Sequence, residues 1–280
     1  MLLRERVVAD GTARPSELHE PDAAPWEWLE AVHDPALVAR LRDGSLSVRE
    51  RRGLGLEWSL ELVERARRSV GGTVAAASRA LARGVGMQLG GGTHHAGQAF
   101  ARGYCLFNDV VVARVRLGVR RVLVVDCDVH QGDGTADLLA GDPDAFTLSL
   151  HGARNYPFQR IPSDLDVDLP TGTGDAEYLR ALDRALDSAL AAGPFDLAFY
   201  LAGSDPWEGD RLGRLSLSKA GLRERDDLVL ERVSAAGIPV VVLLAGGYAP
   251  DVRDTVDINA ATAAAAAELD RRLSWSVLGA

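Results

Sequence analysis

The stretch VLVVDCDVHQGD, at residues 122–133, joins a short apolar run to a dense group of acidic residues and a histidine. The apolar residues are continuous rather than alternating, which indicates a strand buried on both faces, as in a parallel sheet covered by helices. Polar side chains that follow such a strand lie at its carboxyl end, where open parallel sheets bind their ligands. This stretch therefore predicts both a fold class and the position of a functional site.

Four further apolar runs have the same character. Together they give five predicted strands, at 85–89, 122–125, 146–150, 197–201 and 240–244. Apolar residues recur at helical spacing elsewhere in the chain, and the predicted helices lie at 59–82, 175–192, 218–236 and 255–273. Alternating strands and helices are typical of a doubly wound domain. We predict an α/β fold with an open, mostly parallel sheet and helices on both faces.

Length and composition limit the classes of protein to consider. The chain has 280 residues, 47% hydrophobic and 25% charged, which is ordinary for a globular protein and predicts a single domain over 1–280. No apolar run is long enough to cross a membrane. A net charge of −9 argues against a nucleic-acid partner. The two cysteines favour a reducing, cytoplasmic location, and no feature indicates the oligomeric state.

Metal-ligand residues cluster at the predicted strand ends. Four of the six histidines lie there, namely His94, His95, His130 and His151. Asp128 and His130 are two residues apart and so point the same way at the end of a strand. With Asp205 from another strand end they form one imidazole and two carboxylates, a set that suits a catalytic zinc with room for water. Fe(II), Mn(II) and Co(II) are also chemically reasonable.

Other residues at the same edge suit acid–base chemistry. The adjacent His94 and His95 allow one imidazole to take a proton while the other holds charge. Asp126 and Asp133 could each accept a ring N–H from one of the pair and fix its tautomer. Tyr248 follows two glycines and offers a hydroxyl that could polarise a carbonyl in a transition state.

Seven motifs, in this order and spacing, resemble the zinc-dependent histone deacetylase family. They are GGGTHHA at 90–96, GYCLFND at 103–109, DCDVHQGDG at 126–134, SLH at 149–151, GSD at 203–205, DRLG at 210–213 and GGY at 246–248. The resemblance covers residues 25–260. Gln131 and the run at 208–213 are similar to the class IV branch and its bacterial relatives. The implied fold is that of arginase and the deacetylases.

The resemblance implies a role for each matching position. Asp128, His130 and Asp205 match the zinc ligands, and His95 matches the general base. The other implied catalytic residues are His94, oriented by Asp126, then Asp133, which orients His95, and the carbonyl-polarising Tyr248. The implied substrate contacts are Gly103, Tyr104 and Gly247. A second cation site, usually for potassium, matches Asp126, Asp128, His130, Ser149 and Leu150.

The implied reaction is metal-dependent hydrolysis of N-acyl-lysine amides, acetyl or longer, in proteins or peptides. One alternative is a ureohydrolase-like enzyme, which would need two metal ions. A second is a catalytically weak acyl-lysine binder, because we expect this chain to lack the first strand and loop that relatives normally have ahead of the segment matching residues 2–8. A third is a small-molecule amidohydrolase acting on acetylated polyamines, since an acidic surface tolerates cationic substrates.

Overall fold

The computed structural model describes the backbone of residues 2–278 and the side chains up to residue 274. Its strands are β1 (Val85–Met87), β2 (Val122–Asp126), β3 (Ala145–Gly152), β4 (Leu165–Leu169), β5 (Leu197–Leu201) and β6 (Val240–Leu243). Its α-helices are α1 (Leu2–Ala9), α2 (Trp26–Glu30), α3 (Pro35–Asp43), α4 (Val48–Leu54), α5 (Leu60–Arg83), α6 (Asp109–Leu117), α7 (Asp133–Leu139), α8 (Asp175–Ala191), α9 (Lys219–Ala235) and α10 (Val252–Leu278), and a 3₁₀ helix spans Pro15–Glu17. None of these helices is long and apolar enough to cross a bilayer.

The six strands form one parallel sheet in the order β1-β6-β5-β2-β3-β4. In the register of the central strand, Val122 lies opposite Ala145 of β3 and Leu197 of β5. The chain leaves β2 toward β3 on one side and returns through β5 on the other. The carboxyl ends of β2 and β5 therefore flank the point where the strand order reverses, which is where doubly wound sheets bind ligands.

Side-chain alternation along the strands produces two apolar cores. On β2, Leu123 and Val125 pack in the core with residues of α8, α9 and α10, whereas Val122 and Val124 pack with residues of α5 and α6. The central strands β2, β5 and β6 therefore bury both faces, which explains their continuous apolar runs in the sequence. The prediction of an α/β sheet with helices on both faces is confirmed.

A third core joins the N-terminal helices to the rest of the molecule. Apolar residues of α2, α3 and α4 pack against α5 and against the segment that ends in Leu106 and Phe107. This layer lies next to the loop that carries Gly103 and Tyr104, because the N–H of Tyr104 donates to the carbonyl of Leu54 in α4. The N-terminal helices thus support one wall of the site described below.

The structure differs from the sequence expectations at several elements. All five predicted strands are present. Strand β4 was not predicted, because the prediction rested on continuous apolar runs, whereas β4 reads LDVDL and alternates between apolar and acidic residues. The strand predicted at 146–150 extends to Gly152, so His151 lies within it rather than beyond it. Helix α6 was also missed, because its DVVVA start is rich in β-branched residues, which favour strands.

Candidate active site

Three predicted metal ligands converge at the carboxyl ends of β2 and β5. The ligand atoms of Asp128, His130 and Asp205 all lie within 4.8 Å of one another, and the three side chains are buried. His130 Nδ1 is 2.9 Å from Asp128 Oδ1 and 3.1 Å from Asp205 Oδ2. The two-residue spacing and the separate strand end thus bring their side chains to one point.

Backbone donors hold the carboxylates while leaving one oxygen open. The N–H of Val129 donates to Asp205 Oδ1 at 2.9 Å, and the N–H of Gly246 donates to Asp128 Oδ2 at 2.7 Å. Any Cβ at Gly246 would overlap both carboxylates, so this close approach requires glycine. Asp205 Oδ2 is buried and has no hydrogen-bond donor among the described residues. An open carboxylate oxygen beside an imidazole fits a metal ligand.

The electrostatics of these three residues favour a cation. Burial, together with the nearby Asp128 carboxylate, raises the pKa of Asp205 to about 7. Burial lowers the pKa of His130, but its hydrogen bond to Asp128 and the nearby charge of Asp205 outweigh that effect and raise it to about 11. Without a metal, the imidazole must therefore carry a proton to offset the carboxylates. The donor set of one imidazole and two carboxylates fits a divalent ion in place of that proton.

Two histidine–aspartate pairs lie beside the metal-ligand residues. His94 Nδ1 is 2.6 Å from Asp126 Oδ2, and His95 Nδ1 is 2.5 Å from Asp133 Oδ1. The two imidazole rings are 4.1 Å apart at their centroids. Each aspartate orients one imidazole ring through Nδ1, and the Nε2 of that ring remains available to other partners.

The two imidazoles carry different charges. For His94, burial opposes the charged form, but the Asp126 and Asp128 carboxylates outweigh it and raise the pKa to about 9. For His95, burial and the charge of His94 lower the pKa to about 4. At neutral pH one ring is therefore an imidazolium and the other a neutral imidazole, which is the form that can accept a proton.

Arg102 is a functional residue that sequence reasoning missed. Its guanidinium forms an ion pair with Asp133 Oδ2, so a chain of Arg102, Asp133 and His95 runs through the site. Its only sequence signal is its place directly before Gly103. The pair holds the Asp133 carboxylate in place, because a neighbouring cation stabilises a buried carboxylate.

Tyr248 reaches the site on the turn after β6. Its N–H donates to Asp210 Oδ2 at 2.6 Å, while Asp210 Oδ1 accepts from the N–H groups of Leu212 and Gly213. Asp210 therefore ties this turn to the loop after β5, a role that the sequence did not indicate. Burial and the Asp128 carboxylate raise the pKa of Tyr248, so its phenol keeps the proton that it can donate.

A pocket of about 340 Å³ opens above these residues. Its lining consists of Arg52, Gly53, Leu54, Gly55, His95, Gly103, Tyr104, His130, Arg154, Asn155, Tyr156, Phe158, Leu212, Arg214 and Tyr248. Gly103 has φ +55°, and a Cβ there would overlap the His95 ring. The backbone at Gly103, which forms one wall of the pocket, therefore approaches the His95 ring too closely for any side chain. Tyr156, which sequence reasoning missed, stands edge-on to His95 at 5.0 Å between ring centroids.

Some predicted residues lie elsewhere. Gly247 is not part of the pocket lining, and a Cβ there would overlap Ser204 Oγ. His151 is also absent from the lining, and its Nδ1 is 2.9 Å from the Ser149 hydroxyl. Ser149 lies opposite Asp126 in the sheet register, which places these two residues of the predicted second cation site together beneath the metal-ligand residues.

The chain belongs to the histone deacetylase family, since the family model described as the histone deacetylase domain matches residues 2–264. An uncharacterized protein of Picosynechococcus sp. (strain PCC 7002) is 41% identical over 259 residues, covering 91% of this chain and 86% of that protein. Histone deacetylase 2 of Arabidopsis thaliana is 38% identical over 189 residues, covering 65% of this chain and 49% of that protein. The chain thus matches about half the length of the plant relative.

Solved structures agree on the fold. The crystal structure of an HDAC homolog complexed with SAHA superposes with a TM-score of 0.81 at 24% identity, covering 96% of this chain and 77% of that chain. At this identity the likeness concerns the fold alone. It confirms the predicted arginase and deacetylase type of α/β sheet.

Proposed function

We propose that this chain is a metal-dependent hydrolase that removes acetyl or longer acyl groups from the side-chain amine of lysine in proteins or peptides. The observation that carries the proposal is the buried group of Asp128, His130 and Asp205 at the base of a pocket that also contains His95 and Tyr248. Membership of the histone deacetylase family supports the same reaction.

Asp128, His130 and Asp205 would hold the divalent ion, for which zinc is the first candidate and Fe(II) another. When bound, such an ion polarises an acyl carbonyl and lowers the pKa of a coordinated water. Asp126, Asp128, His130, Ser149 and Leu150 would hold a structural potassium ion. A monovalent cation there would offset the carboxylates that are crowded under the site.

The remaining residues supply proton transfer and charge stabilisation. Neutral His95 takes the proton of the attacking water and delivers it to the leaving amine, while Asp133 holds the ring in position. His94, held as an imidazolium by Asp126, keeps positive charge beside the reacting carbonyl. The protonated Tyr248 hydroxyl donates to the oxyanion. The walls at Tyr104 and Tyr156 suit the methylene chain of an acyl-lysine.

A ureohydrolase-like reaction is less well supported by the site. That chemistry needs a second metal ion with further carboxylate ligands. Within the side chains that the structure describes, Asp128, His130 and Asp205 are the one group with ligand atoms close enough together for a metal. A single divalent ion per chain is therefore the expectation.

The proposal is tested with acyl-lysine peptides of increasing acyl length, run together with metal analysis. His95→Ala should lower turnover by about 10²–10⁴-fold and retain the metal, because a positioned general base contributes that factor. Asp205→Ala should lose both metal and activity, while exposed His19→Ala serves as the control. Normal turnover in His95→Ala, or two divalent metal ions per wild-type chain, would contradict the proposal. Binding of the peptides without turnover in the metal-loaded wild type would support the non-catalytic alternative.

A further inference from the structure

We propose that the mouth of the pocket selects substrates that carry a carboxylate on the acylated lysine itself or on a residue beside it. The inference rests on the proposed function and concerns the substrate class of the same site. Its basis is a set of three arginines in the pocket lining, Arg52, Arg154 and Arg214, which we call the arginine mouth.

The three arginines come from separate parts of the fold. Arg52 belongs to α4, Arg154 follows the end of β3, and Arg214 lies in the loop between β5 and α9. All three are exposed, whereas His95 and His130 in the same lining are buried. The arginines therefore lie toward the outer end of the pocket and the catalytic residues toward its inner end. A substrate whose amide reaches His95 must place its remaining groups among these guanidiniums.

Among the described side chains, no carboxylate forms an ion pair with the arginine mouth. The fifteen residues of the lining include no aspartate or glutamate. In the part of the chain that the structure describes, none of the three guanidiniums forms an ion pair, although nearby Arg160 and Arg102 pair with Asp168 and Asp133. Three uncompensated positive charges at one opening stand out in a protein whose net charge is −9.

The local charge reverses an expectation that rested on net charge. The overall acidity suggested tolerance for cationic substrates such as acetylated polyamines. A substrate responds to the field at the opening, because a cleft lined by one sign of charge concentrates ligands of the opposite sign. The arginine mouth repels a polyamine or a lysine-rich peptide and attracts a carboxylate.

The carboxylate can come from two sources that share this chemistry. One is an aspartate or glutamate beside the acyl-lysine in a peptide. The other is the α-carboxylate of the acylated lysine itself, when that residue is free or C-terminal. The exposed aromatic ring of Phe158 at the same rim offers an apolar contact to either substrate.

The test compares acetyl-lysine peptides that differ only in their flanking residues, which are Glu, Gln or Lys, at matched length. We expect kcat/KM to fall about tenfold from Glu to Lys, because several exposed ion pairs each contribute a few-fold. The difference should lie mainly in KM and shrink between 50 and 500 mM salt, as screening requires. A second pair, Nε-acetyl-lysine with a free α-carboxylate or a carboxamide, distinguishes the two sources. A preference for the carboxylate in either pair supports the proposal.

Two triple variants locate the effect. Arg52→Gln/Arg154→Gln/Arg214→Gln should abolish the ranking by flanking charge. Arg49→Gln/Arg180→Gln/Arg184→Gln changes the net charge equally at exposed residues outside the lining and should keep the ranking. The same ranking should appear in peptide affinity, measured by fluorescence anisotropy with the His95→Ala protein. If the triple variants fold poorly, the affinities of the Glu-, Gln- and Lys-flanked peptides for the His95→Ala protein still show whether the pocket prefers a carboxylate.

Equal use of Glu- and Lys-flanked peptides and of the α-carboxylate pair would overturn the inference, as would a ranking that survives in the mouth variant or disappears in the control. These results differ from failure of the proposed function, in which none of the acyl-lysine substrates would turn over.

Discussion

Arg225 is completely buried, with 0% of its side chain exposed, directly beneath the two strand ends that carry the metal-ligand residues. Its Nη1 donates to the carbonyl oxygen of Gly203 at 2.6 Å, and its Nη2 lies 2.8 Å from Asp226 Oδ1. Asp226 also accepts hydrogen bonds from the hydroxyls of Tyr200 and Thr262. The arginine thereby joins α9 to the main chain just before Asp205.

Replacing Arg225 should therefore destabilise the protein strongly. Arg225→Leu leaves the Asp226 carboxylate buried without its cation, which typically costs about 3–5 kcal/mol of unfolding free energy. Urea unfolding monitored by circular dichroism measures the loss. Arg223→Leu is the control, because Arg223 pairs with Asp227 and Glu268 at the surface and its loss should cost at most about 1 kcal/mol. Equal effects of the two changes would contradict this role.

Gly103 is a position where only glycine leaves room for the His95 ring. Gly103→Ala should lower kcat by about 10²-fold, because the new methyl group would displace the His95 ring and small misplacements are that costly. Gly118→Ala is the matched control. Its φ is similar, +63°, and apart from its chain neighbours no described residue has an atom within 4 Å of the new Cβ. It should lose about 1–2 kcal/mol of stability and keep its turnover. Steady-state kinetics and metal analysis separate the two outcomes.

At the residue scale, sequence reasoning found the residues whose chemistry is distinctive. Histidines and aspartates at strand ends are unusual together, so Asp128, His130 and Asp205 could be grouped from the order of residues in the chain. Arg102 and Arg225 could not, because an arginine is ordinary in sequence. The role of an arginine depends on which carboxylate or carbonyl group the fold places beside its guanidinium.

At the element scale, the start of α6 depends on a buried histidine. Asn108 caps this helix, since its side chain accepts the N–H of Val111 at 3.0 Å. The N–H of Asn108 in turn donates to His33 Nε2 at 3.0 Å, and His33 Nδ1 is 2.8 Å from the carbonyl oxygen of Gly97. Both ring nitrogens are satisfied when the imidazole is neutral. A second proton would face the N–H of Asn108.

This arrangement predicts a dependence of stability on pH. Burial lowers the pKa of His33, so the unfolded state binds a proton more readily than the folded state. The stabilisation by neutral His33 is fully present above pH of about 6.5 and is lost as the pH falls below that value. The stability difference between wild type and His33→Gln should therefore narrow between pH 7.5 and 5, as measured by urea unfolding.

The comparison uses the difference in unfolding free energy between wild type and His33→Gln. The other buried histidines titrate in both proteins, so their contributions cancel in this difference. His19→Gln, at an exposed position, should show no such narrowing. A constant difference between wild type and His33→Gln across this range would refute a neutral His33.

At the scale of the whole molecule, the ends of β2 and β5 bring together two carboxylates, those of Asp128 and Asp205, which repel one another. Asp128 and Asp205 are buried together, and Asp205 Oδ2 has no hydrogen-bond donor in the described part of the chain. Binding a divalent ion to the folded chain should thus stabilise the whole domain by mass action. The single domain over 1–280 and the potassium site stay predictions.

Removing the metal should lower the thermal unfolding midpoint. At a metal concentration 1,000-fold above its Kd, the linked stabilisation is about 4 kcal/mol. Chelation followed by dialysis should lower the midpoint, and added zinc should restore it. Asp205→Ala is the control, because a chain that has lost its metal should not respond to the chelator. An unchanged wild-type midpoint after verified metal loss would show that the ion contributes nothing to folding.

The sequence by itself determined the parallel α/β sheet and the chemistry of its inner site. Buried strands need continuous apolar runs, and ligand residues at strand ends meet at one edge, so both features are local in sequence. The support of Asp133 by Arg102 and the arginine mouth were decided only in the tertiary structure. Each depends on contacts between segments far apart in the chain, and the charge of the pocket opening came from three surface arginines that no local pattern connects.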